Sequence, residues 1–154
     1  MVSEDVNEYR VDLVQVIREE WAWLGCEPVK IIDTNAFGNV IFTDAAGQYW
    51  RLIPEDLKGV VIASNETEYA ALRKDDEFLI DWNMDNFCTM ARNAHGELPD
   101  GKRYCFKLPP VLGYPYSAEN MGVISLSDLI GLAGHIGKQI KDLPDGTKVS
   151  FKIE

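Results

Sequence analysis

Carboxylates are the residues of this chain whose number and spacing most invite chemistry. Glu77, Asp81 and Asp85 recur at four-residue intervals, Asp75 and Asp76 stand just ahead of them, and Glu66 and Glu68 lie a little earlier. Paired carboxylates do general acid–base work when their surroundings keep one protonated and the other ionised. The periodicity points elsewhere. Phe78, Leu79 and Trp82 mark the buried side of a helix, so Glu77, Asp81 and Asp85 form an acidic stripe on its other side. Residues 66–85 hold seven acidic side chains against Arg73 and Lys74. Like charges at that spacing disfavour a helix, and either solvent or a basic partner has to offset them.

Other chemistry is thinner. His135 stands beside the inward-facing Ile136 with no Ser or Cys placed for it to activate, and no Gly-x-Ser-x-Gly occurs. No catalytic residue is therefore assigned. The glycines of Gly131-Leu-Ala-Gly134-His-Ile-Gly137 fall inside a helical pattern rather than between strand and helix. They read as a close helix-packing face, not a phosphate cradle. Cys26, Cys88 and Cys105 are odd in number and far apart, which suits reduced core thiols better than disulfides. With only His95 and His135 besides, zinc-ligand spacing is missing, and neither metal nor cofactor is expected. The loop Leu112-Gly113-Tyr114-Pro115-Tyr116 sets two stiff aromatics beside turn residues. Tyr114 and Tyr116 are candidates for anchoring an interface or for covering a sheet edge. Trp50 and Arg51 read as plain strand residues.

The elements that must position these groups follow from periodicity. Apolar residues from Val6 to Leu24 repeat at helical spacing after Ser3, and Gly25 ends the run. Short β-type runs at residues 29–32, 40–43, 49–53 and 60–63 are separated by turn chemistry and predict an antiparallel meander. Asn65 caps a short helix to Leu72, and a longer helix runs from Asp75-Asp76 to His95-Gly96. Strands at 104–108 and 122–126 follow, then a helix capped near Ser125-Leu126-Ser127-Asp128, then a strand alternating Val149, Phe151 and Ile153. Leu98-Pro-Asp-Gly and Leu143-Pro-Asp-Gly open matching turn-plus-strand units, read as convergent turn chemistry rather than duplication.

At 154 residues, with 46% apolar and 26% charged residues, the chain suits one soluble domain, 1–154. The expected class is α+β: a mainly antiparallel sheet packed against several helices, with the 104, 123 and 149 strands joined to the meander. Trp21, Trp82, Phe106, Ile136 and Phe151 are expected inside. The acidic start lacks signal-peptide features and no apolar run spans a bilayer, so a cytosolic protein without membrane contact is expected. The net charge is −10, and the first hundred residues hold 20 acidic and 8 basic side chains. That field repels nucleic acid and attracts basic partners.

The order of several motifs is informative beyond composition. Tyr104-Cys-Phe-Lys runs into Leu108-Pro-Pro-Val-Leu-Gly113, then Glu119-Asn120-Met121, then a helix ending Gly137-Lys-Gln139; Asn35-Ala-Phe37-Gly38 and Gly47-Gln-Tyr49-Trp50 precede them. This order resembles the C-terminal domain of type VI secretion immunity proteins. Tyr114-Pro115 departs from the Leu-Gly-Gly-x-Tyr loop of those proteins, and the separate leading domain of longer members is not expected here. The resemblance implies a non-enzyme in the producer's cytosol that binds a cognate DNase toxin with a basic cleft. Candidate contacts are then Glu66, Glu68, Glu77, Asp81, Asp85, Tyr114 and Tyr116. A regulatory or scaffolding module is the alternative. A small carboxylate-dependent hydrolase is a third, which a deep pocket holding a carboxylate of raised pKa would favour.

Overall fold

A computed structural model describes residues 13–144 and Thr147. The expected helix start at Ser3 and the strand with Val149, Phe151 and Ile153 lie outside the described residues. Helix α1 crosses residues 13–20 and tightens into a 3-10 turn, Ala22–Leu24, that Gly25 ends at φ 74°. Strands β1 (Pro28–Thr34), β2 (Val40–Asp44), β3 (Tyr49–Ile53) and β4 (Lys58–Ala63) pair in sequential antiparallel order, as the turn residues between them require. Asn65 caps α2 (Glu66–Leu72), Asp75 caps α3 (Asp76–Asn83), and α4 spans Asp85–His95. Strands β5 (Lys102–Phe106) and β6 (Met121–Ser125) form a second ladder, and α5 (Leu126–Ile140) starts from the Ser125 hydroxyl, which accepts from the Asp128 amide. The class is α+β.

The 104 and 123 strands do not extend the meander, contrary to expectation. The outer side of β5 is instead tied to the β1–β2 loop, where the Tyr104 amide donates to the Ala36 carbonyl at 2.8 Å and Arg103 Nε to the Asn35 carbonyl at 3.0 Å. A loop with isolated carbonyls satisfies those groups and leaves no ladder to continue.

Buried side chains gather on either side of that loop. Leu13, Ile17 and Trp21 of α1 and its end meet Leu126 and Ile130 of α5 over Ile31, Val40, Phe42 and Leu52 of the sheet. Phe37, Cys88, Ala91, Tyr104, Phe106 and Met121 form the other cluster, between α4 and the β5–β6 ladder. Phe37 and Gly38 stand at the junction. Gly38 has φ 72°, and a Cβ there would overlap Leu129 Cδ2 on α5, so only glycine suits both the backbone and the space. The glycines of α5 do allow close packing, since Cβ atoms at Gly134 and Gly137 would lie 2.7 Å from the Glu20 carbonyl and 2.8 Å from Trp23 Cζ2. The approach lets Trp21 Nε1 donate to the Ile130 carbonyl and Trp23 Nε1 to that of Gly134, at 2.9 and 3.1 Å.

Trp21, Trp82 and Phe106 are buried, as expected; Ile136, expected inside, is only half-buried against the first cluster, and Phe151 lies outside the described residues. The two Pro-Asp-Gly units make the same turn bond, Lys102 N to Pro99 O at 3.1 Å and Thr147 N to Pro144 O at 3.2 Å. Cys88 is a buried free thiol, and Cys26 and Cys105 are half-buried free thiols.

The single long helix expected over residues 75–95 is two helices. Met84 takes a left-handed conformation at φ 50°, ending α3 and starting α4. The Asn35 side chain donates from Nδ2 to the Trp82 carbonyl at 2.8 Å, supplying a partner to a last-turn acceptor of α3. Trp82 packs under Arg51, while Cys88 and Ala91 turn into the second cluster, two directions that one straight helix does not serve.

Candidate partner-binding surface

The break at Met84 divides the acidic stripe. Glu77 and Asp81 remain on α3, whereas Asp85 is the first residue of α4, and the three no longer share a continuous helix face. The fold nevertheless gathers Asp81 and Asp85 with Glu55, Asp56, Phe87 and Tyr116 around an open depression of about 550 Å³. Four carboxylates there face one guanidinium, that of Arg51.

Arg51 is the organiser of this surface, although its place in a strand gave no sign of it. Its side chain is 8% exposed and donates from Nη1 to Asp81 Oδ2 at 2.6 Å and from Nε to Asn39 Oδ1 at 3.0 Å. The guanidinium also sits 5.2 Å from the Trp82 ring centroid. Asn39 passes the connection on, donating from Nδ2 to Glu55 Oε1 at 2.9 Å. Asn39 is held in turn because its backbone amide donates to Asn35 Oδ1, as does that of Phe37. A linked set of hydrogen bonds therefore runs Asp81, Arg51, Asn39, Glu55. Asn35 and Asn39 flank the tight turn through residues 36–38 and close it from both sides.

Asp81 is thus already engaged, while its 72% exposure leaves its remaining oxygen facing solvent. Glu55 sits in the 3-10 turn Pro54–Asp56, and burial pushes its carboxyl up to about 7, only partly offset by its hydrogen bonds with its own backbone and with Asn39.

Tyr116 supplies the aromatic side of the depression. Its ring stacks on Phe87 with centroids 5.4 Å apart and meets Phe106 edge-on at 5.3 Å. Burial and the facing carboxylates of Asp56 and Glu55 push its phenol upward. The long β5–β6 connection is held in place by buried Asn120, whose amide donates to the Leu108 and Pro115 carbonyls at 2.8 and 2.9 Å and whose Oδ1 accepts from the Leu108 amide. This accounts for the Glu119-Asn120 step of the motif. Tyr116 is 48% exposed, so the loop packs one face inward and presents the other.

The remaining candidates do not join the depression. Glu68 accepts from the Ser64 amide at 2.8 Å while its own amide donates to Asn65 Oδ1, a helix-capping role. Glu66 lines a different hollow with Asp44 and Val29. Glu77 is exposed in the first turn of α3, and Tyr114 is half-buried in the loop. Among the described residues no group of three His, Cys, Asp or Glu side chains is disposed to hold a metal ion, and no helix is long and apolar enough to cross a membrane. His135 is exposed and contacts Gln139 on the same helix.

Residues 63–137, from the end of β4 through most of α5, match the family described as T6SS immunity protein Tdi1, C-terminal. Across that segment, just under half of the chain, the sequence is similar to this type VI secretion immunity family. No curated protein matches it. The family segment contains Asp81, Asp85, Phe87 and Tyr116, whereas Arg51, Glu55 and Asp56 come from the meander that precedes it. The family's immunity role implies a protein toxin as partner and does not call for catalysis.

Proposed function

We propose that this chain is a cytosolic immunity protein that binds a cognate type VI secreted DNase and inhibits it without catalysis of its own. The match of residues 63–137 to the immunity family carries the reading. The surface supports its physics: carboxylates from three elements converge beside an exposed aromatic, on a chain of net charge −10. A nuclease must hold a positive field over its DNA cleft, and an acidic inhibitor uses that field for encounter and then excludes the phosphates. Asp81, Asp85 and Tyr116 are the contacts favoured, with Glu66, Glu68, Glu77 and Tyr114 outside the depression. The test is survival of cells making the cognate type VI secreted DNase. Co-expression of this protein should restore growth, and growth arrest despite soluble protein would refute the reading.

One observation favours the hydrolase alternative. Glu55, with a pKa of about 7, lines an apolar cleft as well as the depression. The other candidate group in that cleft, Cys105, has its thiol pushed up by burial, which disfavours the thiolate needed for attack. Hydrolysis by the purified protein that is lost in Glu55→Gln would establish this second reading.

A further inference from the structure

Beside the acidic depression lies a more enclosed cleft of about 200 Å³, whose walls include Leu57, Phe106, Leu108, Leu129, Leu132 and Ile136. Its lining is predominantly apolar, and it is smaller than the roughly 300–1,000 Å³ of typical cofactor and small-molecule sites. A volume of that order suits one aliphatic or aromatic side chain. Leu132 on its rim is 51% exposed, so apolar surface continues outward from the opening.

The cleft and the depression are adjoining. Glu55 lines both. Phe106 lines the cleft while Phe87 and Tyr116 line the depression, and the three rings are in mutual contact at 5.3 to 5.8 Å. An apolar hole and a carboxylate-rich hollow therefore share one wall. The charge of the hollow selects against an anionic occupant, and the cleft selects for a side chain without charge.

We propose that the two form one bipartite docking surface for an extended segment of the partner protein, with an apolar side chain seated in the cleft and a Lys or Arg two residues away over the Asp81–Asp85 depression. The spacing of two follows from the strand period, which sends alternate side chains to the same side. This deepens the immunity reading and rests on it for the existence of a protein partner; the apolar and cationic character assigned to that partner rests on the surface. Anchoring in a desolvated pocket slows dissociation, and the cation confers selectivity against anionic competitors.

The test uses three blocked peptides, acetyl-Leu-Gly-Lys-amide, acetyl-Leu-Gly-Glu-amide and acetyl-Gly-Gly-Lys-amide, titrated into the ¹⁵N- and methyl-labelled full chain at pH 8, where Glu55 is ionised. The first should shift Glu55, Leu132 and Tyr116 signals together, with a dissociation constant at least threefold below either of the others. Leu132→Asp, at an exposed rim position, should remove that advantage while leaving the dispersion of the spectrum intact. Equal binding of the acidic peptide, shifts confined to other surfaces, or no shifts at millimolar peptide would overturn the proposal. Cells protected from the cognate toxin by both wild type and Leu132→Asp would leave immunity standing and remove only this docking surface.

Discussion

Glu55→Gln should stabilise the protein, and only where Glu55 would be ionised. The folded carboxyl titrates at about 7 against an ordinary 4.5. Between those values the folded chain holds a proton that the unfolded chain has released, so stability falls as pH rises from 4.5 to 7 and the full penalty persists above. At about 1.36 kcal/mol per pH unit the ceiling is ~3 kcal/mol, and solvent screening of a half-buried group reduces it to roughly 1–3 kcal/mol. Gln keeps an oxygen to accept from Asn39 and removes the charge. At pH 8 the variant should therefore melt roughly 2–12 °C higher than wild type, given about 2–4 °C per kcal/mol for a chain of this size. At pH 4 the two should coincide. A lower melting temperature at pH 8, or a difference independent of pH, would refute the placement of Glu55 as a carboxylate strained by burial.

Packing and kinetic consequences are equally specific. Gly38→Ala combines a left-handed φ with overlap onto Leu129 and should cost roughly 2–4 kcal/mol in urea unfolding; a loss below 1 kcal/mol would mean the loop readily repacks. Gly134→Ala meets the Glu20 carbonyl and Trp21 Nε1, both 2.7 Å from the added Cβ, and should destabilise by roughly 1–3 kcal/mol despite the better helix propensity of alanine; a stabilised variant would contradict the α1–α5 contact. In stopped-flow binding to the toxin, Asp85→Lys should lower the on-rate severalfold and flatten its salt dependence, and Tyr116→Ala should mainly raise the off-rate. Unchanged kinetics in both would move the interface elsewhere.

Local signals in the sequence were strong where one element decided its own fate. The meander, the Asn65, Asp75 and Ser125 caps and the Gly25 stop follow from turn chemistry and hydrogen-bonding side chains next to periodic runs. The Met84 break was hidden because its causes are tertiary: Asn35 bonds Trp82 from 47 residues away, and Trp82 and Cys88 bury in different directions. Spacing alone therefore drew one stripe through Glu77, Asp81 and Asp85 where the fold makes two helices. Arg51 was illegible for the same reason, since its partners come from two other segments, Asn39 from the β1–β2 loop and Asp81 and Trp82 from α3. Glu68 looked like part of an acidic surface and is spent on a cap, although Asn65 three residues before it was the cue. The separation of β5–β6 from the meander depends on bonds to Ala36 and Asn35 that no periodicity encodes.

The central claim is that this chain binds and silences a nuclease toxin. The most direct measurement is cleavage of linear duplex DNA by the purified nuclease domain of the proposed cognate toxin, titrated with the full chain at physiological salt. Cleavage should fall in proportion to added protein and cease near one equivalent, with a one-to-one complex recovered on gel filtration. Undiminished cleavage at tenfold excess, with the two proteins eluting separately, would contradict the account.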